Sequence, residues 1–187
     1  MPNWCFNELE INCMGKTEKL KELKKLVATK NSAFSFTKIV PYPKEFKILD
    51  EINGFDLLNE AERQKKKERL FKKYAQELER IKSLGLDINK DGYNQGGYDW
   101  CLENWGTKWD ACNVELIIDD DYYLFYRFET AWSPPIPIII ELSKKFPDLW
   151  FQLRFFERGM GFCGIINVRN GEIEEKVELS YYGTHGG

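Results

Sequence analysis

The chain has 187 residues, 43% hydrophobic and 15% aromatic, enough to bury a core as a single folded domain. Its net charge of -3 and its pI of about 5.4 argue against nucleic acid as the partner, because phosphate binding depends on clustered Lys and Arg side chains. We find no signal-peptide pattern and no apolar run near the ~18 residues that a membrane span requires. Five scattered cysteines favour reduced, buried thiols. We therefore expect a cytoplasmic protein without membrane contact.

The first forty residues predict a β-α-β unit. Apolar and polar residues alternate over 3–13, which indicates a strand with one face in the core. Leucines at helical spacing follow Thr17, a candidate N-cap, and we expect this helix to end near Asn31. A second strand is predicted over 33–40 and stops at Pro41, because proline cannot donate a hydrogen bond to a strand ladder.

A long charged segment then predicts one amphipathic helix over roughly 57–84. Its apolar residues recur every three or four positions from Leu70 to Leu84. Residues 62–82 hold nine Lys or Arg against four Glu, so this helix carries positive charge on an acidic protein. We interpret that charge as a solvated outer face; the alternative is a docking site for an acidic partner.

Residues 85–111 have the most unusual composition of the chain. Gly, Asn and Asp dominate 85–97 and predict a loop. Three tryptophans then fall within ten residues, with neither helical nor strand periodicity. Aromatic rings bury a large area and their polar atoms need partners, so this segment suits either a rigid folded loop or the wall of a pocket.

The second half of the chain repeats the β-α-β order. We predict strands at 113–118 and 122–129, a helix from Pro134 with Ser133 as its cap, and a further strand at 149–157. Proline suits a first helical turn, because its missing N–H group would have no intrahelical partner there.

The last residues predict a hairpin and a frayed tail. Asn170-Gly171 lies between two alternating runs over 162–179, which is a strong signal for a β-hairpin. The tail from Tyr181 onward includes His185, the single histidine, and is expected to be disordered because chain ends are poorly ordered unless they are tied down.

Two β-α-β units in one sheet predict an α+β, ferredoxin-like (βαβ-βαβ) fold, with an antiparallel sheet and its helices on one face. The prediction is one domain over 1–187, with a helical and Trp-rich insertion at about 44–112 and a C-terminal hairpin. Strand alternation assigns a second set of side chains to the open face of the sheet, away from the helices. This set comprises Trp4, Phe6, Glu8, Glu10, Tyr123, Phe125, Arg127, Glu129, Trp150, Gln152, Arg154 and Phe156.

Several segments together resemble the YubB-like family of phage and plasmid proteins. They are 2–5, 39–43, 100–101, 104–110, 130–135 and 155–164, and they span nearly the whole chain. The resemblance implies a ferredoxin-like fold, an origin in a mobile element and a bacterial host cytoplasm. The family has no established activity, so the resemblance implies no catalytic residue.

The residues offer little for catalysis. A histidine triad would need more than the single His185, and no Cys or His cluster has the spacing of a zinc site. The adjacent acids at 119–121 favour a solvated turn over a metal site, because a calcium loop needs spaced ligands. Glu129 and Glu157 each end a strand and are the candidates for paired carboxylates. We predict no metal and no cofactor, and we expect a protein that is not an enzyme.

Arg127 and Arg154 are candidates for an anion clamp, because guanidinium groups bind phosphate or carboxylate through two parallel hydrogen bonds. We favour a simpler interpretation, in which the two arginines form ion pairs across strands with Glu8 and Glu10. The geometry allows it, since the first strand of a ferredoxin-like sheet lies between the third and the fourth.

For Trp105, Trp109 and Trp132 we expect packing within the core or a loop, with stacking on a ligand as the alternative. Lys108 and Asp110 are the polar groups placed best beside these rings. If a nucleotide-like ligand binds, the rings would stack on its base while a Lys or Arg contacts its phosphate.

These observations favour a non-enzymatic binding protein of a phage or mobile element, which sequesters or blocks a host component, with counter-defence as one such role. The first alternative is a binder of a small anionic or nucleotide-like ligand through a Trp/Arg pocket. The second is a metal-dependent hydrolase that uses Glu129, Glu157 or the acids at 119–121. A third is a binder of single-stranded nucleic acid through Trp150, Phe156 or Phe125 on the open face.

Overall fold

The centre of the molecule is a six-stranded antiparallel sheet, seen in a computed structural model that describes residues 3–54 and 59–183. The order of the strands across the sheet is β2-β3-β1-β4-β5-β6. The expected disorder at His185 and the first residues of the helix predicted at 57–84 lie outside the described residues. The strands are β1 (Trp4–Asn12), β2 (Cys112–Asp119), β3 (Tyr123–Ala131), β4 (Trp150–Glu157), β5 (Phe162–Arg169) and β6 (Glu172–Ser180).

The predicted ferredoxin-like α+β fold is confirmed. Helix α1 (Thr17–Val27) follows β1, and a later helix, Ile136–Lys145, joins β3 to β4. β1 lies between β3 and β4, and the β5–β6 hairpin extends the sheet beyond β4. The chain therefore follows the βαββαβ order of this fold, with a long insertion between α1 and β2.

The strand predicted at 33–40 is wrong. These residues contain a 3₁₀ turn, Phe36–Lys38. The second strand of the first β-α-β unit is β2 instead. The carboxylate of Asp110 accepts hydrogen bonds from the Phe36 N–H (2.6 Å) and the Ser35 hydroxyl (2.6 Å). Phe34 and Phe36 alternate with polar residues because both rings are buried in the core. The Phe36 N–H donates to the Asp110 side chain instead of to a neighbouring strand.

The predicted alternation along the strands is confirmed in β1, β3 and β4. One set of side chains is buried and the other is partly or fully exposed. The buried set packs with apolar residues of the two helices and forms the core on one face of the sheet. The residues of this core, from the strands and both helices, are Leu9, Ile11, Leu20, Leu23, Val27, Leu124, Tyr126, Phe128, Ile138, Ile139, Leu142, Phe151, Leu153 and Phe155.

Both helix caps predicted for this part are wrong. Thr17 is the first residue of α1, Lys16 occupies the N-cap position, and no side chain caps the helix; it ends at Val27, earlier than predicted. The helix predicted from Pro134 begins at Ile136 and has no side-chain cap; the hydroxyl of Ser133 donates to the Gly106 carbonyl (2.6 Å).

Residue contacts divide the chain into two compact units. One comprises the residues up to Pro41 and from Cys101 onward, and it contains the sheet; the other is Tyr42–Trp100. The second unit is helical and has a small core of its own, formed by Ile48, Leu49, Ile52, Leu70, Leu78 and Ile81. Its helices are α2 (Lys44–Asn53), α3 (Glu60–Lys73), α4 (Ala75–Ser83) and the start of α5 (Gly97–Trp105), and the last helix is α6 (Ile136–Lys145).

The prediction of one helix over 57–84 is wrong, since α3 and α4 meet at Tyr74, where the backbone leaves helical values (φ -108°, ψ 22°). The Tyr74 hydroxyl donates to the Glu51 carboxylate of α2 (2.6 Å), so a tertiary contact accompanies the break. Asn59 caps α3 with a capping box that includes Glu62.

The predicted C-terminal hairpin is confirmed. Asn170 and Gly171 both have positive φ (50° and 80°), as a two-residue hairpin turn of type I′ requires. The expectation of a frayed tail is wrong for Tyr181, which is buried: its N–H donates to the Gly161 carbonyl (2.6 Å) and its ring packs on Phe156. This contact ties the chain down after β6 ends.

Candidate binding surface on the open face of the sheet

The open face of the sheet carries the side chains that alternate with the buried core. Arg127 is exposed on β3, and Arg154 is exposed on β4. Phe6 of β1 is also exposed, at 36% of its surface. Charged groups and aromatic rings therefore occur together on the open face. The opposite face of the same strands is buried in the core.

Two ion pairs cross the strands of the open face. Arg127 Nε lies 3.0 Å from Glu8 Oε1, and Arg154 Nη2 lies 3.2 Å from Glu10 Oε1. The predicted cross-strand pairing is therefore confirmed. The two guanidinium groups flank Glu8, which is opposite Arg127 on one side and Arg154 on the other. An anion would have to compete with these carboxylates for either guanidinium.

Three aromatic rings form a ridge beside the ion pairs. Phe6 and Phe156 stack with centroids 4.9 Å apart and planes 10° apart, and Tyr181 lies 5.4 Å from Phe156. Offset stacking of this kind adds about 0.5–1.5 kcal/mol to simple area burial. The ridge gives the open face a rigid apolar feature.

Two hollows lie on either side of this ridge. The first, of about 340 Å³, is lined by Phe6, three carboxylates and the guanidinium of Arg127. Because those carboxylates belong to Glu8, Glu115 and Glu129, acidic groups outnumber the single cation. The first hollow therefore suits a basic or neutral group better than an anion.

The second hollow, of about 310 Å³, is more apolar. It lies between Phe156 and the C-terminal hairpin, and Val177, Leu179 and Tyr181 contribute to its wall. Arg154 and Glu8 supply its charges. Sequence reasoning missed this hollow: the alternation of 172–179 indicated a strand, but the tail assigned to disorder contains Tyr181.

Glu129 and Glu157 do not converge. Glu129 lies opposite Phe6 on the open face, whereas Glu157 lies opposite Cys5 on the buried face. Glu157 is only 1% exposed and accepts hydrogen bonds from the backbone N–H groups of Gly159 (2.8 Å) and Met160. It holds the turn between β4 and β5, and Glu129 accepts from the Asn113 amide (2.6 Å).

Trp105 and Asp110, two of the candidates in the Trp-rich segment, hold the fold together. Trp105 is buried in α5, and its indole N–H donates to the Val40 carbonyl (2.9 Å). Besides binding Ser35 and Phe36, the Asp110 carboxylate accepts from the Ala111 N–H (2.8 Å). Segment 97–105 is helical, although its sequence shows no helical period.

Lys108, Trp109 and Trp132 form an exposed cluster. The Lys108 ammonium lies 3.9 Å from the centroid of each indole ring, and the two tryptophans are 40% and 43% exposed. Trp132 has φ of 71°, a left-handed backbone that costs energy for a bulky residue. The ammonium fills the space between the rings, so a stacking ligand would have to displace it.

The acids at 119–121 form the exposed turn that their sequence predicted. Asp120 accepts from the N–H groups of Tyr122 (2.8 Å) and Tyr123 (2.7 Å), while Asp119 and Asp121 pair with lysines of α1. Within residues 3–54 and 59–183 no cluster of His, Cys, Asp and Glu is arranged to hold a metal ion. Nor does any helix in these ranges have the length and apolarity to cross a membrane.

Burial controls the titration of groups on both faces. On the core side it raises the pKa of the Cys5 thiol to about 12 and holds the pKa of Tyr126 well above its usual range. On the open face, partial burial and the neighbouring Glu10 carboxylate raise the pKa of Tyr123 to about 12. Both the core thiol and the Tyr123 phenol therefore stay protonated near neutral pH.

This fold and surface define an α+β protein with a ferredoxin-like domain and an extended sheet. Residues 104–182 match the family model described as a ferredoxin-like domain in Api92-like protein. The chain is also similar to the crystal structure of a protein api92 from Yersinia pseudotuberculosis, with 12% identity, a TM-score of 0.56 and coverage of 98% of this chain and 100% of that one. At this identity the likeness concerns the fold alone. No curated protein matches the chain.

Proposed function

We propose that this chain is a non-enzymatic binding protein of a phage or related mobile element, and that the open face of its sheet binds and blocks a host protein. The mobile-element origin rests on the YubB-like motifs of the sequence. The observation that carries the binding role is the aromatic ridge of Phe6, Phe156 and Tyr181 between two hollows. Aromatic anchors beside pockets are typical of binding hot spots.

The carboxylates that could act in catalysis are arranged in a way that favours a binding role over an enzymatic one. Glu157 and Asp110 are occupied by backbone N–H groups, and Glu129 and Glu157 lie on opposite faces of a strand pair. A hydrolase that uses two carboxylates would need them to converge on one substrate atom. The hydrolase alternative therefore has little support from this geometry.

Binding of a small anion is the other alternative, and Lys108 with its two exposed indole rings is the observation that favours it. The open face itself offers less, because its two arginines are paired with Glu8 and Glu10 and the first hollow is acidic. Thermal denaturation against a panel of nucleotides tests this alternative: a ligand of the native state raises the melting temperature by mass action.

Affinity capture from a bacterial lysate tests the main proposal with matched charge reversals. Arg127→Glu changes the open face, and Lys25→Glu makes the same change on exposed α1. We expect a captured host protein that the Lys25→Glu variant retains and the Arg127→Glu variant loses. Equal capture by both variants would place binding elsewhere on the molecule, and failure of the wild-type chain to capture any specific protein would contradict the proposal.

A further inference from the structure

The sheet has two edges, and they differ in how they meet solvent. At one edge, β2 is irregular, with shifts of register between Cys112 and Glu115 and between Leu116 and Ile118. At the other, β6 has one shift of register, between Ile173 and Glu175, and then pairs with β5 without a break from Glu175 to Ser180. Bulged edges resist pairing with another strand, whereas a regular edge presents a row of backbone N–H and C=O groups ready to pair.

This edge carries five charged residues and three large apolar ones. All nine residues of β6 are exposed, and they include Ile173 (40%), Val177 (38%) and Leu179 (63%). Natural sheets commonly blunt an exposed edge with charges, so a strand can pair with β6 only where its own charges complement those of β6. The question is then which strand this edge accepts.

One pair of these charges, Lys176 and Glu178, is self-complementary about a two-fold axis. We propose that β6 pairs antiparallel with β6 of a second copy of this chain, with Val177 on the two-fold axis, to form one continuous twelve-stranded sheet. In this register Lys176 lies opposite Glu178 of the partner subunit, and Glu178 lies opposite the partner's Lys176. Opposite charges at facing positions stabilise a strand pair, and like charges destabilise it.

Neighbouring registers are less favourable on charge, and an axis through Leu179 gains no pair of opposite charges, because it places Glu178 opposite Ser180 of the partner subunit. Faces of the sheet are kept only when the axis passes through a residue, because side chains alternate between faces along a strand. An axis through Glu175 or Glu178 places two carboxylates opposite each other, and an axis through Lys176 places two ammonium groups together. Within one chain Lys176 already lies 3.0 Å from Glu178, so the dimer would join two such pairs into a four-charge cluster.

The second copy would also border the candidate surface. Val177 and Leu179 line the second hollow, and Leu179 lies opposite Glu175 of the partner subunit in this register. Pairing one short strand buries less than the ~1,200 Å² of a standard stable interface, so we expect a weak dimer that forms with rising concentration. Symmetry of this kind is the commonest form of protein assembly.

Sedimentation equilibrium of the full chain over a wide concentration range tests the register by charge exchange. We expect the wild-type chain to dimerise and the variants Lys176→Glu and Glu178→Lys each to weaken the dimer by at least about tenfold, because two facing pairs become repulsive. The double variant Lys176→Glu/Glu178→Lys should restore wild-type association. Glu172→Lys, which reverses a charge outside the paired core of the strand, serves as the control and should leave the dimer intact.

Circular dichroism of each variant separates loss of dimer from loss of fold. A wild-type chain that remains monomeric at every concentration overturns the proposal. So does a dimer that both single variants leave unchanged, or one that the double variant fails to restore while it stays folded. Val177→Lys, which places two ammonium groups at the axis, is a second route to the same monomer. This test is independent of the capture experiment, because the host partner takes no part in it.

Discussion

The two faces of the central sheet are made by the same strands and have opposite chemistry. Phe155 and Phe156 are neighbours on β4, yet the first is buried among core residues and the second stacks on Phe6 at the surface. The buried face is closed by apolar packing, whereas the open face combines rings with paired charges. The comparison teaches that the core and the proposed binding surface use alternate residues of one strand, so that each can be changed separately.

Truncation of one phenylalanine on each face is the strongest test of the difference between the two faces. Phe155→Ala should lower the free energy of unfolding by about 3–5 kcal/mol, because it leaves a cavity in a packed core. Phe156→Ala should cost less, about 2 kcal/mol, because this ring is only partly buried although it contacts both Phe6 and Tyr181, while it removes capture of the host partner. Urea denaturation of both variants measures the difference; equal losses of stability would show that the open face is also core.

Asp110 sharpens the distinction between structural and ligand-binding residues. Asp110→Ala removes the acceptor of three hydrogen bonds and should cost about 3 kcal/mol, because hydrogen bonds to a charged group are worth more than neutral ones. Thermal denaturation measures this loss. Asp148→Ala removes an exposed carboxylate at another position and is the matched control, with little expected effect. A stable Asp110→Ala variant with altered ligand response would instead support a binding role.

Tyr126 offers a gain of stability on the buried face. Its hydroxyl is buried and has no hydrogen-bond partner among residues 3–54 and 59–183, so Tyr126→Phe should raise the free energy of unfolding by about 1 kcal/mol. Chemical denaturation at neutral pH measures this change. A destabilised variant would reveal a contact that the hydroxyl makes in solution.

The same residue predicts an alkaline effect. Its folded-state pKa is raised by burial, so above about pH 10 the unfolded chain loses a proton that the native state keeps. The contribution of Tyr126 to stability should therefore be constant below that pH, and stability should fall as pH rises through the alkaline range. Tyr126→Phe should weaken this fall without abolishing it, because the pKa of Tyr123 is also raised, to about 12.

The ion pairs of the open face should give the smallest effect on stability. Arg127→Ala breaks the pair with Glu8, but both side chains are partly solvated, so the loss should be below about 1 kcal/mol and should shrink in high salt. Denaturation at low and high ionic strength measures it. A loss of several kcal/mol, independent of salt, would assign the pair to the core.

Much of this arrangement could be predicted because alternation is a local signal. The period of two in β1, β3 and β4 was enough to assign each side chain to a face, and the register of β1 then brought Glu8 and Glu10 to the two arginines. The Asn170-Gly171 turn was equally local. These features depend on residues close in sequence or on the strand order of the fold.

The features that could not be predicted depend on distant partners. Residues 33–40 alternate like a strand, but Asp110 takes the N–H of Phe36 from more than seventy positions away. Tyr74 interrupts a helical pattern where its hydroxyl binds Glu51, and Tyr181 is held by Gly161 and Phe156. The sequence shows each of these residues but does not indicate which distant residue it contacts.

Thiol labelling tests most directly whether the open face is accessible and used. Cys163 lies on β5 opposite Leu179 and is partly exposed, whereas Cys5 is fully buried on the other face. We would label the folded protein with a maleimide, alone and in thiol-blocked, desalted bacterial lysate, and map the sites by mass spectrometry. The account predicts that Cys163 reacts while Cys5 does not, and that lysate slows the reaction of Cys163. Equal labelling of the two cysteines, or a rate at Cys163 that lysate leaves unchanged, would contradict it.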